Sequence, residues 1–232
     1  MEHIYILVDV DTQRDFMDTD GALYAPADIS VRDNIATLSQ LQLPRIGSVD
    51  SHAYDAWEFQ ENGGPFPPHC VKGTSGWLKP TETLPAKTRF VPMGTALCVG
   101  EKDAGKGNRA YTEQKCAEEV FDGVSIYFEK EVYSLFANPF AGTAVETIVK
   151  YAREVLKKEP IFAVYGYCTG GFCVDAAALG LAKKGYHVQL ILDATAPLAI
   201  KGGIEKTTLP DMKRAGVKIV RTEDVMRATS SY

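Results

Sequence analysis

The chain has 232 residues, 45% of them hydrophobic and 24% charged, an ordinary globular composition that excludes a disordered, collagen-like or coiled-coil chain. Its 25 Lys and Arg stand against 30 Asp and Glu, and the formal charge of −5 disfavours nucleic acid as a partner. No apolar run nears the roughly 18 residues of a membrane span, and Met1-Glu2-His3 lacks the basic start of a signal peptide. The cysteines are Cys70, Cys98, Cys116, Cys168 and Cys173, an odd count that does not read as a disulfide scaffold. The default expectation is a reducing, cytoplasmic setting with free thiols and no membrane contact.

Short β-branched runs recur at residues 4–10, 45–49, 124–128, 161–165, 188–192 and 217–220. Helical patterns occupy 28–41, 143–158, 174–184 and 204–214. This alternation predicts an α/β fold, a six-stranded mainly parallel sheet with helices on both faces. Several runs are almost wholly apolar, as strands covered on both sides are. Two stretches break the rhythm: 51–88 is rich in Gly, Pro and aromatics, and 92–119 is polar with several glycines. Neither carries enough apolar residues for its own core. They read as a long functional loop and an insertion within one domain spanning 1–232.

In an open parallel sheet, ligands bind beyond the carboxyl ends of the strands. The first run is followed by Asp11, the second by Asp50 and His52, the third by Glu129-Lys130, and the fourth by Gly166-Tyr167-Cys168-Thr169-Gly170-Gly171-Phe172-Cys173. A carboxylate, metal-ligand types, a lysine and a thiol thus fall on one rim, although each alone has a plainer reading as a turn, surface or core residue. Cys173 opens a helix, whose N-terminus favours thiolate, and Lys130 adds a positive charge. Asp11 can accept the thiol proton, and the amides of the Gly-rich turn can hold an oxyanion. Asp50, His52 and, from the loop, His69 offer two imidazoles and a carboxylate, a set that suits zinc, or iron or manganese, as readily as it suits a hydrogen-bonded loop pair. Cys70 neighbours His69, but adjacent residues rarely reach one ion. His3 and His187 open strands and read as surface or packing residues.

Five segments in this order resemble the nicotinamidase/isochorismatase-like cysteine hydrolases over residues 4–197: Val10-Asp11-Thr12-Gln13-Arg14-Asp15-Phe16, Asp50-Ser51-His52, His69-Cys70-Val71-Lys72-Gly73-Thr74, Lys130-Glu131-Val132-Tyr133-Ser134-Leu135-Phe136, and Cys173-Val174. The His69 segment is similar to the nicotinamidase branch. The resemblance implies the isochorismatase-like hydrolase fold and an Asp11–Lys130–Cys173 triad. It implies an oxyanion hole from the amides of Cys168 and Cys173, with a cis peptide at Tyr167–Cys168. It also implies a divalent metal on Asp50, His52 and His69 that holds the substrate's pyridine nitrogen, and a pocket lined by Phe16, Phe66 and Tyr167. The implied reaction is hydrolysis of a small carboxamide, nicotinamide first, through a thioester, in a homo-oligomer.

The chain departs from the family pattern in four places. Ala56, with Asp55 beside it, stands where many nicotinamidases carry a further His, so Asp55 becomes a candidate ligand. The Lys130 segment has the spacing of the isochorismatase branch. The run from Gly166 to Cys173 is one residue longer than usual, and 92–119 looks inserted. Three alternatives stay open: a metal-free amidase of the same family for carbamoyl or ureido compounds, a dienelactone-hydrolase-like elbow with Cys168 as nucleophile, and a non-catalytic binder of a small aromatic ligand.

Overall fold

The computed structural model describes residues 2–93, 111–198 and 208–230. Cys98 and most of the 92–119 stretch lie outside them. The strands are β1 (Glu2–Val10), β2 (Arg45–Asp50), β3 (Thr88–Val91), β4 (Ser125–Lys130), β5 (Lys158–Thr169), β6 (His187–Pro197) and β7 (Lys218–Val220). They form one sheet in the order β3-β4-β2-β1-β5-β6-β7, and every pairing is parallel. Helices α1 (Arg14–Met17), α2 (Ile29–Gln40), α3 (Glu113–Phe121), α4 (Ala141–Glu154), α5 (Cys173–Lys183), α6 (Thr208–Arg214) and α7 (Thr222–Thr229) flank it. Against the sheet α3 packs on α4 and α5 on α6, while α2 lies against β6. The central strands are buried without interruption: Ile6, Leu7, Val8 and Val10 on β1, and Phe162, Ala163, Val164 and Tyr165 on β5. No helix among the described residues is long and apolar enough to cross a membrane.

The fold class read from the sequence agrees with this sheet, but the strand count does not. The six expected runs are β1, β2, β4, β5, β6 and β7, and the seventh strand is β3. It escapes notice because it is a four-residue edge strand in which only Val91 is fully buried, too short to show a period. The helical pattern at 143–158 overshoots: α4 ends at Glu154, and Lys157 turns the chain with φ 59° into β5. The pattern at 28–41 holds, with Asp28 capping α2 by accepting from the Ser30 amide at 2.9 Å. The end of the 92–119 stretch carries α3, which had no place in the sequence reading.

One row across the sheet sets up the site. Phe90, Tyr127, Gly47, Asp9 and Tyr165 are register partners on β3, β4, β2, β1 and β5. Gly47 leaves the gap through which the Tyr127 ring reaches over to donate its hydroxyl to Asp9 Oδ2 at 2.6 Å. A Cβ at Gly47 would fall 2.8 Å from that ring. Gly166 is constrained from the other side of β1: its φ is +129° and a Cβ there would sit 2.0 Å from the Val10 carbonyl oxygen. Gly166→Ala therefore has both a forbidden dihedral and a backbone clash. It should lower unfolding free energy by more than about 2 kcal/mol, read from the urea midpoint.

Candidate active site

The carboxyl ends of β1, β2, β4 and β5 deliver their residues to one place. β2 and β4 pair Asp50 directly with Lys130. The Lys130 ammonium, wholly buried, lies 2.8 Å from Asp11 Oδ2 and 3.1 Å from Asp50 Oδ1. It also reaches Cys173 Sγ at 3.5 Å. The structure thus brings Asp11, Lys130 and Cys173 together. Asp11 follows β1 in the left-handed region, φ 50°, and is fixed by its amide to the Ser48 carbonyl at 3.0 Å and by the Ser48 hydroxyl to its Oδ1 at 2.8 Å. Ser48 was not singled out by the sequence reading. It stands one turn of the strand pleat before Asp50.

Burial alone would discharge Lys130, but Asp11, Asp50 and Cys173 outweigh it and hold the ammonium well above its usual range. Asp50 shows the converse balance. Burial raises it, yet Lys130 and the imidazoles of His52 and His69 keep the carboxylate well below its usual value. Cys173 corrects an expectation. It does open α5, but burial pushes its thiol well above the ordinary value, and Lys130 opposes this without reversing it. Its surroundings therefore favour the thiol over the thiolate.

The turn before Cys173 also differs from what the resemblance implies. There is no cis peptide among the described residues, so Tyr167–Cys168 is trans. The extra residue is absorbed by left-handed conformations at Cys168 (φ 67°), Gly170 (98°) and Gly171 (92°). Asp175, in the first turn of α5, accepts from the Gly170 amide at 2.7 Å and braces the turn. Cys168 and Cys173 are both buried there.

Beside the triad, Asp50, His52, Glu58 and His69 bring four ligand atoms within 4.8 Å of one another, all on buried side chains. His52 Nε2 is 3.1 Å from both Asp50 Oδ2 and Glu58 Oε1, and His69 Nε2 is 3.4 and 3.2 Å from the same two atoms. Yet His52 Nε2 makes no hydrogen bond: the carboxylate oxygens are near but not along its N–H direction. Four ligand atoms converging around an imidazole nitrogen left without a hydrogen bond is the pattern of a cation site. His69 Nδ1 meets the Pro67 carbonyl at 2.8 Å, an outer contact that leaves Nε2 free for an ion. The set of two imidazoles and two carboxylates fits a divalent ion such as zinc, iron or manganese. Without an ion, burial disfavours charge on the two imidazoles, but Asp50 and Glu58 outweigh it and raise both to about 9. A cation binding here competes with protons for the two imidazole nitrogens.

Glu58 is the residue that the sequence reading missed. Asp55, the candidate put forward beside Ala56, is exposed and outside the cluster. Cys70 is not in it either; its amide donates to Asp15 Oδ2 at 2.7 Å. The available signal for Glu58 was its type and place, a carboxylate on the loop between His52 and His69.

Aromatic rings line the approach. Phe16 and Phe66 stand edge-on to His69, with centroids at 5.6 and 5.8 Å. Phe66 continues to Phe172 at 6.4 Å and Phe172 to Tyr133 at 5.2 Å, so the row runs from the core to a half-exposed tyrosine. Phe172 and Tyr133 were not anticipated as pocket walls. Tyr167 is buried outside this row, with Arg32, Tyr24 and Asp18 among the charged and polar groups acting on it.

No protein-family model matches the chain, and no curated protein matches it in sequence. Solved structures do. PnC1 from L. infantum, in complex with nicotinate, superposes with a TM-score of 0.66 at 20% identity over 96% of each chain. The pyrazinamidase of Pyrococcus horikoshii in complex with zinc gives 0.56 at 25% identity, covering 94% of this chain and 98% of that one. N-carbamoylsarcosine amidase from Thermoplasma acidophilum gives 0.55 at 17%, over 95% and 97%. The chain has the fold of the isochorismatase-like hydrolases, and nicotinamidases and pyrazinamidases recur among the structures that share it.

The geometry separates the two acidic candidates of the loop. Glu58→Gln should cut bound metal in purified protein to below half of the wild-type stoichiometry by elemental analysis, and Asp55→Asn should leave it unchanged.

Proposed function

We propose that the protein is a cysteine amidohydrolase that releases ammonia from a small aromatic carboxamide, with nicotinamide the leading substrate. The observation that carries this reading is the buried ammonium of Lys130, which touches Asp11, Asp50 and Cys173 together. In the proposed sequence Asp11 takes the Cys173 proton as the sulfur attacks the carboxamide carbon, while Lys130 stabilises the charge on sulfur. The amides of Cys168 and Cys173 hold the oxyanion. The C–N bond breaks as Asp11 returns the proton to the departing ammonia. Water, deprotonated by Asp11, then hydrolyses the thioester and regenerates the thiol. Asp50, His52, Glu58 and His69 would hold a divalent ion, which supplies a Lewis-acid anchor for a ring nitrogen. The rings of Phe16, Phe66 and Phe172 suit a flat substrate.

The zinc complex of one fold relative supports the metal-bearing form of this reading. The carbamoylsarcosine amidase among the neighbours supports the alternative of a carbamoyl or ureido substrate, but the four converging donors favour the metal-bearing form. The dienelactone-type reading loses ground, because an elbow at Cys168 needs a downstream His. His187 opens β6 and faces His3 at 6.3 Å, at the opposite end of the sheet.

Ammonia release from nicotinamide, pyrazinamide, carbamoyl and ureido compounds, with and without chelator, tests the assignment. The pyridine and pyrazine amides should turn over and lose at least about tenfold in rate on metal removal. Turnover of ureido compounds alone, indifferent to chelator, would move the protein to the second reading. Cys173→Ala should abolish turnover with fold and metal content intact, whereas Cys168→Ser should retain it.

A further inference from the structure

A second buried ion pair lies directly behind the triad and uses residues outside the segments that carry the family resemblance. Asp9 and Lys79 have no exposed side-chain surface. Lys79 Nζ lies 3.0 Å from Asp9 Oδ2, 4.5 Å above the centre of the Tyr127 ring, and donates to the hydroxyl of Thr12 and, at 3.4 Å, to its carbonyl. The Thr12 hydroxyl donates in turn to Asp9 Oδ1 at 2.8 Å. Thr12 immediately follows Asp11, which holds an unfavourable left-handed backbone. Lys79 ends the segment that is stitched to the same turn from outside: the amides of Arg14 and Asp15 donate to Leu78 and Gly76 at 2.9 and 3.1 Å, and Gln13 Nε2 donates to Trp77 at 2.9 Å.

A buried ion pair is a poor source of stability, because desolvating two charges costs about as much as their attraction returns. Its better-attested use is to specify one conformation. This pair grips both the hydroxyl and the carbonyl of the residue next to Asp11. Here the pair fixes a peptide whose rotation would swing the Asp11 carboxylate off Lys130 and Ser48.

We infer that Lys79, clamped by Asp9 and Tyr127, is a positioning residue that locks the Asp11–Thr12 turn and so aims the Asp11 carboxylate at its proton-transfer partners. The inference rests on the proposed role of Asp11 as the base. It also explains why an isolated lysine is buried at the foot of the loop that carries His69.

Removing one partner would strand a buried charge, so the test removes both with side chains of similar volume: Asp9→Leu combined with Lys79→Met. The metal-loaded double variant should keep its metal content, with a thermal midpoint lowered by the loss of the Tyr127 and Thr12 hydrogen bonds to Asp9. Its kcat for nicotinamide should fall by roughly 10–100-fold with KM within about twofold, as expected for a small misplacement of a catalytic group. A kcat within about twofold of wild type overturns the inference, whether or not the midpoint drops. If the double variant does not fold, Thr12→Val takes its place. It cuts the hydroxyl links to the turn and leaves the ion pair, and it should lower kcat at least about fivefold with KM unchanged; an unchanged kcat overturns the inference. Iodoacetamide labelling of Cys173, followed by peptide mass, needs no substrate. Should the wild type hydrolyse none of the amides, the functional reading fails, and the inference is judged on labelling alone: at least about tenfold slower in the variant supports it, and equal rates overturn it.

Discussion

Everything at the rim depends on one ammonium taken fully out of water. A cation as buried as Lys130 is stable only if anionic and polar partners replace its hydration, and the three it has come from three other strands or strand ends. Asp50 arrives by direct register with Lys130, Asp11 from the neighbouring strand, and Cys173 from the helix after β5. Asp50 then divides its two oxygens: Oδ1 faces Lys130 and Oδ2 faces His52 and His69. The thiol and the four-donor cluster are therefore not two sites that happen to be adjacent. They share a carboxylate, so charge placed on one side changes the field on the other.

The loop that supplies His52, Glu58 and His69 has little secondary structure, and what orders it is the chain segment after β1. Asp11, Gln13 and Asp15 alternate along that segment and each holds something different. Gln13 locks onto the Asp50 backbone from both ends, accepting from its amide at 2.7 Å and donating to its carbonyl at 2.8 Å. Asp15 accepts from Cys70 and Ala22. A Cβ at Gly76 would land 2.0 Å from the Asp15 carboxylate, which would have to shift from its bond to the Cys70 amide to make room. A motif that reads as one candidate catalytic aspartate with flanking residues is in space a clasp that fastens the loop carrying His69 to the end of β1.

What could be read from the sequence follows from this arrangement. The strand-end rule works because a parallel sheet places residue types by topology alone, so Asp11, Asp50, Lys130 and Cys173 could be grouped with no knowledge of side-chain contacts. β3 could not, since a four-residue edge strand carries no hydrophobic period. Glu58 was hidden for a related reason: a loop without period gives no hint of which carboxylate faces inward, and Asp55 looked equally good until burial separated them. The trans peptide at Tyr167 was out of reach because one extra residue lets Cys168, Gly170 and Gly171 share the turning. Lys79 and Asp9 sit 70 residues apart, and only the ring of Tyr127 passing over Gly47 brings their environment into being.

The state of the nucleophile is decided by magnitudes. A helix N-terminus contributes about 0.3–1 kcal/mol toward an anion in exposed settings, less than the 1.36 kcal/mol that moves a pKa by one unit. Removing a thiolate from water costs more than that, and Cys70, Cys168 and Cys173 are all buried and all pushed well above the ordinary thiol value. Thiol acidity therefore does not set Cys173 apart from Cys70 and Cys168. Contact does: Cys173 is the thiol whose sulfur accepts from the Lys130 ammonium. In the proposed reaction a thiol needs a base in place before its sulfur can attack, so that reading depends as much on where the Asp11 carboxylate points as on the sulfur itself. That places the left-handed turn at Asp11, and the buried groups that hold it, at the centre of what the site can do.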